Sequence, residues 1–421
     1  MLTTAHLKEV IADQRMIYHP LIEVPRAKFE KALELAETPQ ILIITGVRRS
    51  GKSTLMQQLR KSRQEQDFYL SFEDDRLASF SLSDFQLLLE VFIELFGPQK
   101  TFYFDEIQNI PGWEKFIRRL YEQGNKIIIT GSNANLLSSE LGTHLTGRYL
   151  TLELFPYSFE EYCIAKKHPV STLDYFNTEQ RALCKKWSNE YQAEGGFPEY
   201  LQYLKPEYLT TLYESILYRD IINRYKIPQE KPIKELVLFL SSNIGKTVTY
   251  NSLRKIVGLA SGTTVAEYCQ YLENCYLFFI VQRYDFSLKA QIQSPKKSYI
   301  IDTALAGVLG FRISADKGRF LENMAFLELK RRNVGMIYYH QGKHECDFVI
   351  REGNAITQAI QVTQSLEDAS TKEREYAGLL DAMRIYGLSS GLILTENQSF
   401  EETIDNYKIV VMPLWRWLLN K

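Results

Sequence analysis

The sequence predicts an α/β protein: a parallel sheet, then a helical region, a winged helix and a second α/β domain. Three observations carry this. Short β-branched runs alternate with amphipathic helical stretches over the first 155 residues, a glycine-rich phosphate-loop pattern joins one such run to the next helix, and strand-like runs resume after residue 298. The chain has 421 residues, and at roughly 150 residues per domain that length accommodates about three domains. The expected boundaries are 1–155, 156–229, 230–297 and 298–421.

Residues 23–39 read as a helix leading into ILIIT at 41–45, a short buried strand followed at once by glycine. Similar runs at 68–72, 101–104 and 126–130, and YLTLELF from Tyr149, have helical patterns such as SDFQLLLEVFIELF between them. This alternation implies parallel strands covered on both faces. After Phe155 the sequence turns mostly helical, and the GGFP and IPQEKP segments carry the glycine and proline expected at breaks. From Lys234 come three short helical stretches and the apolar run CYLFFIV, the outline of a winged helix. Strands are expected again at 337–339, 347–350, 359–363 and 391–394.

With 50 Lys plus Arg against 51 Asp plus Glu, 45% hydrophobic residues and 24% charged, neither a disordered tail nor a general polyanion coat fits. Cys163, Cys184, Cys269, Cys275 and Cys346 are odd in number and lack a CxxC pair, which argues against a disulfide framework. No signal pattern opens the chain and no apolar run approaches membrane length, so a soluble, cytoplasmic protein is the expectation.

Gly46, Val47, Arg48, Arg49, Ser50, Gly51, Lys52, Ser53 and Thr54 spell GVRRSGKST, a complete GxxxxGK[ST] pattern between a strand and a helix. Its glycines permit a tight loop whose amides face phosphate oxygens. Lys52 then reaches the β and γ phosphates and the Ser53 hydroxyl ligates magnesium. In TFYFDEIQNI, Asp105 would hold that ion through its water shell and Glu106 would orient and deprotonate the attacking water. Because YLSF lies between the two motifs in the chain, the sheet is expected to insert a strand between them. Ser132 and Asn133, after the strand ending IIITG, either sense the γ phosphate or form an ordinary turn. Arg148 either projects toward a neighbouring copy's nucleotide, through a homo-oligomer, or makes a local ion pair.

In order along the chain, GVRRSGKST, FDEIQNIPGWE, ITGSNANLLSSELGTHLTGRY, LFPYSFEEY, GGFPEYL and YRDIINRY resemble the bacterial and archaeal AAA-type ATPases with a C-terminal domain of unknown function. The resemblance runs over nearly the whole chain. It implies an AAA-type P-loop core using ATP and Mg2+, a winged helix, and a restriction-endonuclease-like carboxy-terminal fold similar to PD-(D/E)XK nucleases.

Between Lys231 and Arg312 there are ten Lys or Arg and five acids. Such a surplus suits contact with double-stranded DNA, with Ser261 to Thr264 opening a recognition helix and Arg283, Lys289, Lys296 and Lys297 in or after the wing. Protein docking is the alternative. Farther on, Glu322 lies in a helix expected to be strongly amphipathic, Asp347 starts a strand, and Gln361 and Thr363 share one face of the next. In the nucleases this resembles, those two positions carry an acid and a lysine that serve one metal-bound water. Glutamine removes a negative charge from a magnesium site, and threonine cannot replace the ammonium. Lys372 or Arg374 would have to supply it; otherwise Glu322, Asp347 and Gln361 are a degenerate site. His340 and His344 do not converge on a metal across a hairpin. The function expected is magnesium-dependent ATP binding and hydrolysis, with Lys52, Glu106, Asn133 and Arg148 as catalytic candidates and Ser53 and Asp105 on the metal. A nucleotide-gated DNA-binding regulator and a residual nuclease are the alternatives.

Overall fold

The computed structural model describes residues 3–16, 24–63, 66–133, 145, 147–170, 177–310 and 317–419. The chain forms two compact units, Met1–Phe155 and Pro156–Lys421. In the first, α1 (Thr4–Met16) and α2 (Phe29–Glu37) precede β1 (Ile41–Thr45) and α3 (Lys52–Arg63). There follow β2 (Phe68–Ser71), α4 (Phe85–Phe96), β3 (Thr101–Asp105), α5 (Trp113–Glu122), β4 (Lys126–Gly131) and β5 (Tyr149–Glu153). The helix expected over 23–39 begins only at Phe29; Arg26 before it turns its guanidinium to the Ser50 and Phe155 carbonyls.

All five strands pair in parallel, in the order β2-β3-β4-β1-β5. Their side chains alternate between two cores. Ile41, Ile43, Phe102, Phe104, Ile127 and Ile129 pack on one face with α4 and α5. Leu42, Ile44, Tyr103 and Ile128 pack on the other with Leu55, Met56 and Leu59 of α3. A strand buried on both faces reads as an unbroken apolar run. One strand does separate β1 from β3, but it is β4. YLSF, as β2, lies on the outer side of β3 instead. The five runs are alike in apolar character, so their composition marks them as strands without naming their neighbours.

The second unit opens with the helix Phe159–Ala165, whose capping box pairs Ser158 with Glu161. The helix Thr178–Glu194 ends at Gly195. GGFP is a buried packing point rather than a surface break. The Gly196 N–H donates to Asp302 (2.7 Å), and a Cβ on Gly195 would stand 2.2 Å from that carboxylate. Burial, resisted by backbone N–H donors, pushes the Asp302 carboxyl up to about 6. The YRDIINRY segment continues the helix Pro206–Ser215 through a π-helical stretch, Ile216–Ile222.

Next come helices Glu230–Ser242, Tyr250–Ile256 and Gly262–Asn274 with β6 (Thr247–Val248), β7 (Phe278–Gln282) and β8 (Lys296–Ile300). These strands form an antiparallel sheet in the order β6-β8-β7. Ser261 caps the Gly262–Asn274 helix through the Thr263 N–H. The connection expected to be a basic wing contains the short helix Leu288–Gln293 and exposes Phe286, Leu288 and Ile292. Lys296 and Lys297 follow that connection on β8 but are buried there and not open to DNA, and Lys296 Nζ donates to the Ile292 and Ser294 carbonyls (2.6 Å each). Counting charge along the chain cannot separate a solvated lysine from one whose partners lie elsewhere in the fold. Arg312, also in that count, lies outside the described residues.

The remaining chain builds a mixed six-stranded sheet, ordered β13-β14-β12-β11-β10-β9. Its strands are β9 (Met336–Gln341), β10 (Glu345–Glu352), β11 (Ala355–Val362), β12 (Ser390–Thr395), β13 (Phe400–Ile404) and β14 (Tyr407–Pro413). The helix Ala369–Tyr386 meets β10 at Gly378, where a Cβ would stand 1.9 Å from the Glu345 carbonyl oxygen. The helix Lys317–Arg332, expected to be amphipathic, is buried from Leu321 through Leu329, including Glu322 and Glu328. Glu322 meets Lys297 across 25 residues, whereas Glu328 pairs with Arg332 one turn on in the same helix (2.8 Å).

Candidate nucleotide site

β1 ends at Thr45, and the loop 46–51 leads directly into α3. Gly46 has φ +149°, and a Cβ there would stand 2.0 Å from the Leu154 carbonyl oxygen. Gly51 has φ +97°. Only glycine combines these conformations with so close a backbone approach. Between them Arg49 takes the left-handed conformation at φ 65°. A glycine-bounded loop that opens a helix is an arrangement able to receive an anion.

A residue outside the motif holds this loop. Arg26 is buried, and its Nη1 donates to the Ser50 carbonyl and Nη2 to the Phe155 carbonyl, 2.7 Å each. One planar guanidinium thus ties the loop to the end of β5. Arg48 reaches Glu73 at 2.7 Å. Val47 and Ser50 are buried, Thr54 is half-buried and Arg49 is exposed.

The two motifs meet because β3 and β1 flank β4. Ser53 donates to Asp105 Oδ1 (3.0 Å), and the Thr130 hydroxyl donates to the same oxygen. Thr130 also accepts from the Glu106 N–H (2.9 Å), fixing the peptide between the acids. Lys52 Nζ lies 3.3 Å from Glu106 Oε1 and 3.2 Å from the Val47 carbonyl. Gln108 donates to the other Glu106 oxygen and reaches Ser132 at 3.4 Å. Glu106 itself is left-handed, with φ 51° and ψ 42°, a conformation uncommon outside glycine and asparagine.

The adjacent carboxyls are driven apart electrostatically. Burial and the Glu106 charge push Asp105 up to about 6, against hydrogen bonds from Thr130 and Ser53. Burial also acts upward on Glu106, but Lys52, Arg48 and the Gln108 amide outweigh it and hold the carboxyl below its ordinary value. Glu106 is therefore the more readily ionised of the two. The hydroxyl and carboxylate oxygens of Ser53 and Asp105 are hard donors that fit magnesium, a cation that takes few protein ligands.

Ser132 and Asn133 follow β4 and are buried. Arg148 lies outside this cluster: its half-exposed guanidinium pairs with Glu122 at 3.1 Å, beside the Tyr121 ring. Thr130, Gln108, Glu73 and Arg26 belong to the site without standing out in the sequence. Only the first two carry any signal, as polar residues at a strand end and two places after Glu106.

The second constellation also assembles. Lys297 Nζ lies 2.9 Å from Glu322 and 2.8 Å from Asp347. The Asp347 N–H donates to Gln361 Oε1 (3.1 Å), while the Gln361 amide donates to Glu375. Lys372 does not supply the missing charge; it turns to Glu402 (3.5 Å) and the Tyr376 ring. Arg374 pairs with Glu375 at 2.5 Å. His340 binds Asp381 (3.1 Å) and the Tyr386 hydroxyl (2.8 Å).

An AAA domain model matches residues 38–163, and the model of a domain of unknown function (DUF8612) matches residues 185–317. An uncharacterized protein of Methanocaldococcus jannaschii is 34% identical, covering 98% of this chain and 96% of that protein. The chain belongs to that protein's family. An uncharacterized protein of Haemophilus influenzae is 31% identical over 92% of this chain and 96% of its own length. Among solved structures, a Walker-type ATPase of Pyrococcus abyssi aligns at 16% identity and TM-score 0.42, over 70% of this chain and 97% of that one. The RuvB Holliday junction branch migration motor of Thermotoga maritima aligns at 16% identity and TM-score 0.31, over 65% and 93%. The first unit is thus an AAA-type P-loop domain, while the DUF8612 match stops where the helix bearing Glu322 begins. Among the described residues no helix is long and apolar enough to cross a membrane.

Proposed function

We propose that the chain binds ATP with magnesium and hydrolyses it, and that nucleotide state acts as a switch on the second unit. The observation that carries this is the convergence of Lys52, Ser53, Asp105 and Glu106 beside the glycine-bounded loop 46–51 at the amino end of α3. Lys52 faces Glu106 at 3.3 Å. An incoming triphosphate competes for that ammonium and releases Glu106, still held by Gln108, to take the proton of a water. Ser53 and Asp105 are the residues that would hold magnesium, which supplies positive charge to the β and γ oxygens when bound. Phosphate release from MgATP by the purified chain tests the reading. Turnover that stops with chelator supports it; no turnover and no binding heat at saturating MgATP would end it.

Arg26 yields a separate prediction. Arg26→Ala should weaken binding of a non-hydrolysable ATP analogue about tenfold, since hydrogen bonds to a charged donor contribute about 1.5 kcal/mol. Arg26→Lys should recover only part of this, because an ammonium does not reproduce the planar bridge to two carbonyls. Titration with a fluorescent analogue checks both.

Arg148 could act on a neighbouring copy's nucleotide at small cost, since its pair with Glu122 is solvent-exposed and screened. Exposed Lys246, Lys255 and Lys289 also support a second reading, in which the 230–297 segment contacts duplex DNA. Three phosphate contacts imply about a 40-fold loss of affinity between 50 and 200 mM salt, read by mobility shift of labelled duplex. A salt-independent shift, or none at low salt, would reject it.

A further inference from the structure

The nucleotide reading leaves a buried cluster of charges in the second unit unused. Lys297 is buried on β8, and its Nζ lies 2.9 Å from Glu322, 2.8 Å from Asp347 and 2.7 Å from Glu345. An ammonium has three N–H donors, and three carboxylates face this one. Tyr299, on the same face of β8 two residues on, donates to the Glu322 oxygen that Lys297 also meets (2.6 Å). The second Asp347 oxygen accepts from the Val362 N–H (3.0 Å). The cluster joins three elements: β8 of the small antiparallel sheet, the helix Lys317–Arg332, and β10 of the six-stranded sheet.

The resemblance to PD-(D/E)XK nucleases implies a divalent cation on Glu322, Asp347 and Gln361. The residues present do not fit one. The ammonium already stands where Glu322, Glu345 and Asp347 converge. Gln361 turns its oxygen to the Asp347 N–H and its amide to Glu375, so it offers no ligand to that point. Among the described residues, no group of three or more His, Cys, Asp or Glu is arranged to hold a metal. Burial works against charge on Lys297, but Asp347, Glu322 and Glu345 together hold its pKa well above the ordinary lysine value. Burial and the Asp347 charge push Glu322 up to about 7, the expected consequence of several carboxylates sharing one cation.

We propose that Lys297 is the resident cation of this site: an internal ammonium replaces the divalent metal, making the cluster an ion lock between the two sheets of the second unit and not a phosphodiesterase centre. A buried charge left without its partner is strongly destabilising, so the lock also fixes β8 against the Lys317–Arg332 helix. This inference is independent of the nucleotide reading.

The test is titration of the nucleotide-free full chain with Mn2+, followed by electron paramagnetic resonance, alongside incubation of supercoiled plasmid with Mn2+. Wild type and Asp347→Asn should give the same Mn2+ isotherm and leave the plasmid intact. A Mn2+ site or plasmid nicking present in wild type and lost in Asp347→Asn would overturn the proposal. Lys297→Met, which keeps chain length without charge, should gain one Mn2+ site that disappears in Lys297→Met/Asp347→Asn. A folded Lys297→Met that gains none would overturn the claim that the ammonium stands in the cation's place. If Lys297→Met does not fold, the comparison of wild type with Asp347→Asn decides alone.

Discussion

Replacing Glu106 with glutamine should lower MgATP turnover by a factor of about 10² to 10⁴, the usual contribution of a positioned general base. Nucleotide binding should survive and tighten. Glutamine keeps the volume of the side chain and can still meet Gln108, but it carries no charge to compete with phosphate for Lys52, which the native carboxylate faces at 3.3 Å. The expected signature is therefore a fall in kcat with a lower dissociation constant for MgATP. Phosphate release and analogue titration on the same preparation measure both. Retained turnover would remove Glu106 from the role of base. Loss of binding together with turnover would show that its contact with Lys52 assembles the loop rather than restrains it.

Lys52→Ala should act on both binding and stability. It removes the ammonium expected to meet the β and γ phosphates, and it leaves Asp105 and Glu106 adjacent, buried and without the cation that faces Glu106. Stripping a buried carboxylate of its partner costs about 3 kcal/mol or more. The Glu106 carboxyl, now held below its ordinary value partly by Lys52, should rise. The variant should melt at lower temperature than wild type and show no thermal shift with MgATP, because a ligand stabilises only the fold it binds. Lys52→Arg separates the two effects: restored melting temperature without restored nucleotide shift would assign the lysine to phosphate and not merely to packing. An undiminished MgATP shift in Lys52→Ala would place the phosphates elsewhere.

Much of the first unit can be read from contiguous sequence. The loop 46–54 is nine adjacent residues whose chemistry resides in backbone conformation and in the first turn of α3, so spacing alone locates it. Asp105 and Glu106 are legible because closing a fully buried strand on two adjacent acids is costly unless a cation meets them. Their supports are not. Thr130 meets Asp105 across 25 residues and Arg26 reaches Phe155 across 129, and in the sequence each is one of many threonines or arginines. The same limit hides the place of β2: parallel neighbours are chosen by how the crossover helices pack, which an apolar run does not encode.

In the second unit the balance reverses. Glu322, Asp347 and Gln361 stand out in the sequence as a damaged acidic set, yet Lys297, which gives the set its character, reads there as part of a solvated basic patch. It lies 50 residues from Asp347 and 25 from Glu322, on a different sheet from Asp347. By itself the sequence determined the five strands of the first unit and the phosphate loop, and singled out Asp105, Glu106, Glu322 and Asp347, because those rest on side-chain period and backbone conformation over a few neighbouring residues. Only the tertiary structure decided which charge faces which, since the strength of a buried ion pair depends on distance and exclusion of water, and both arise when separate segments close on one another.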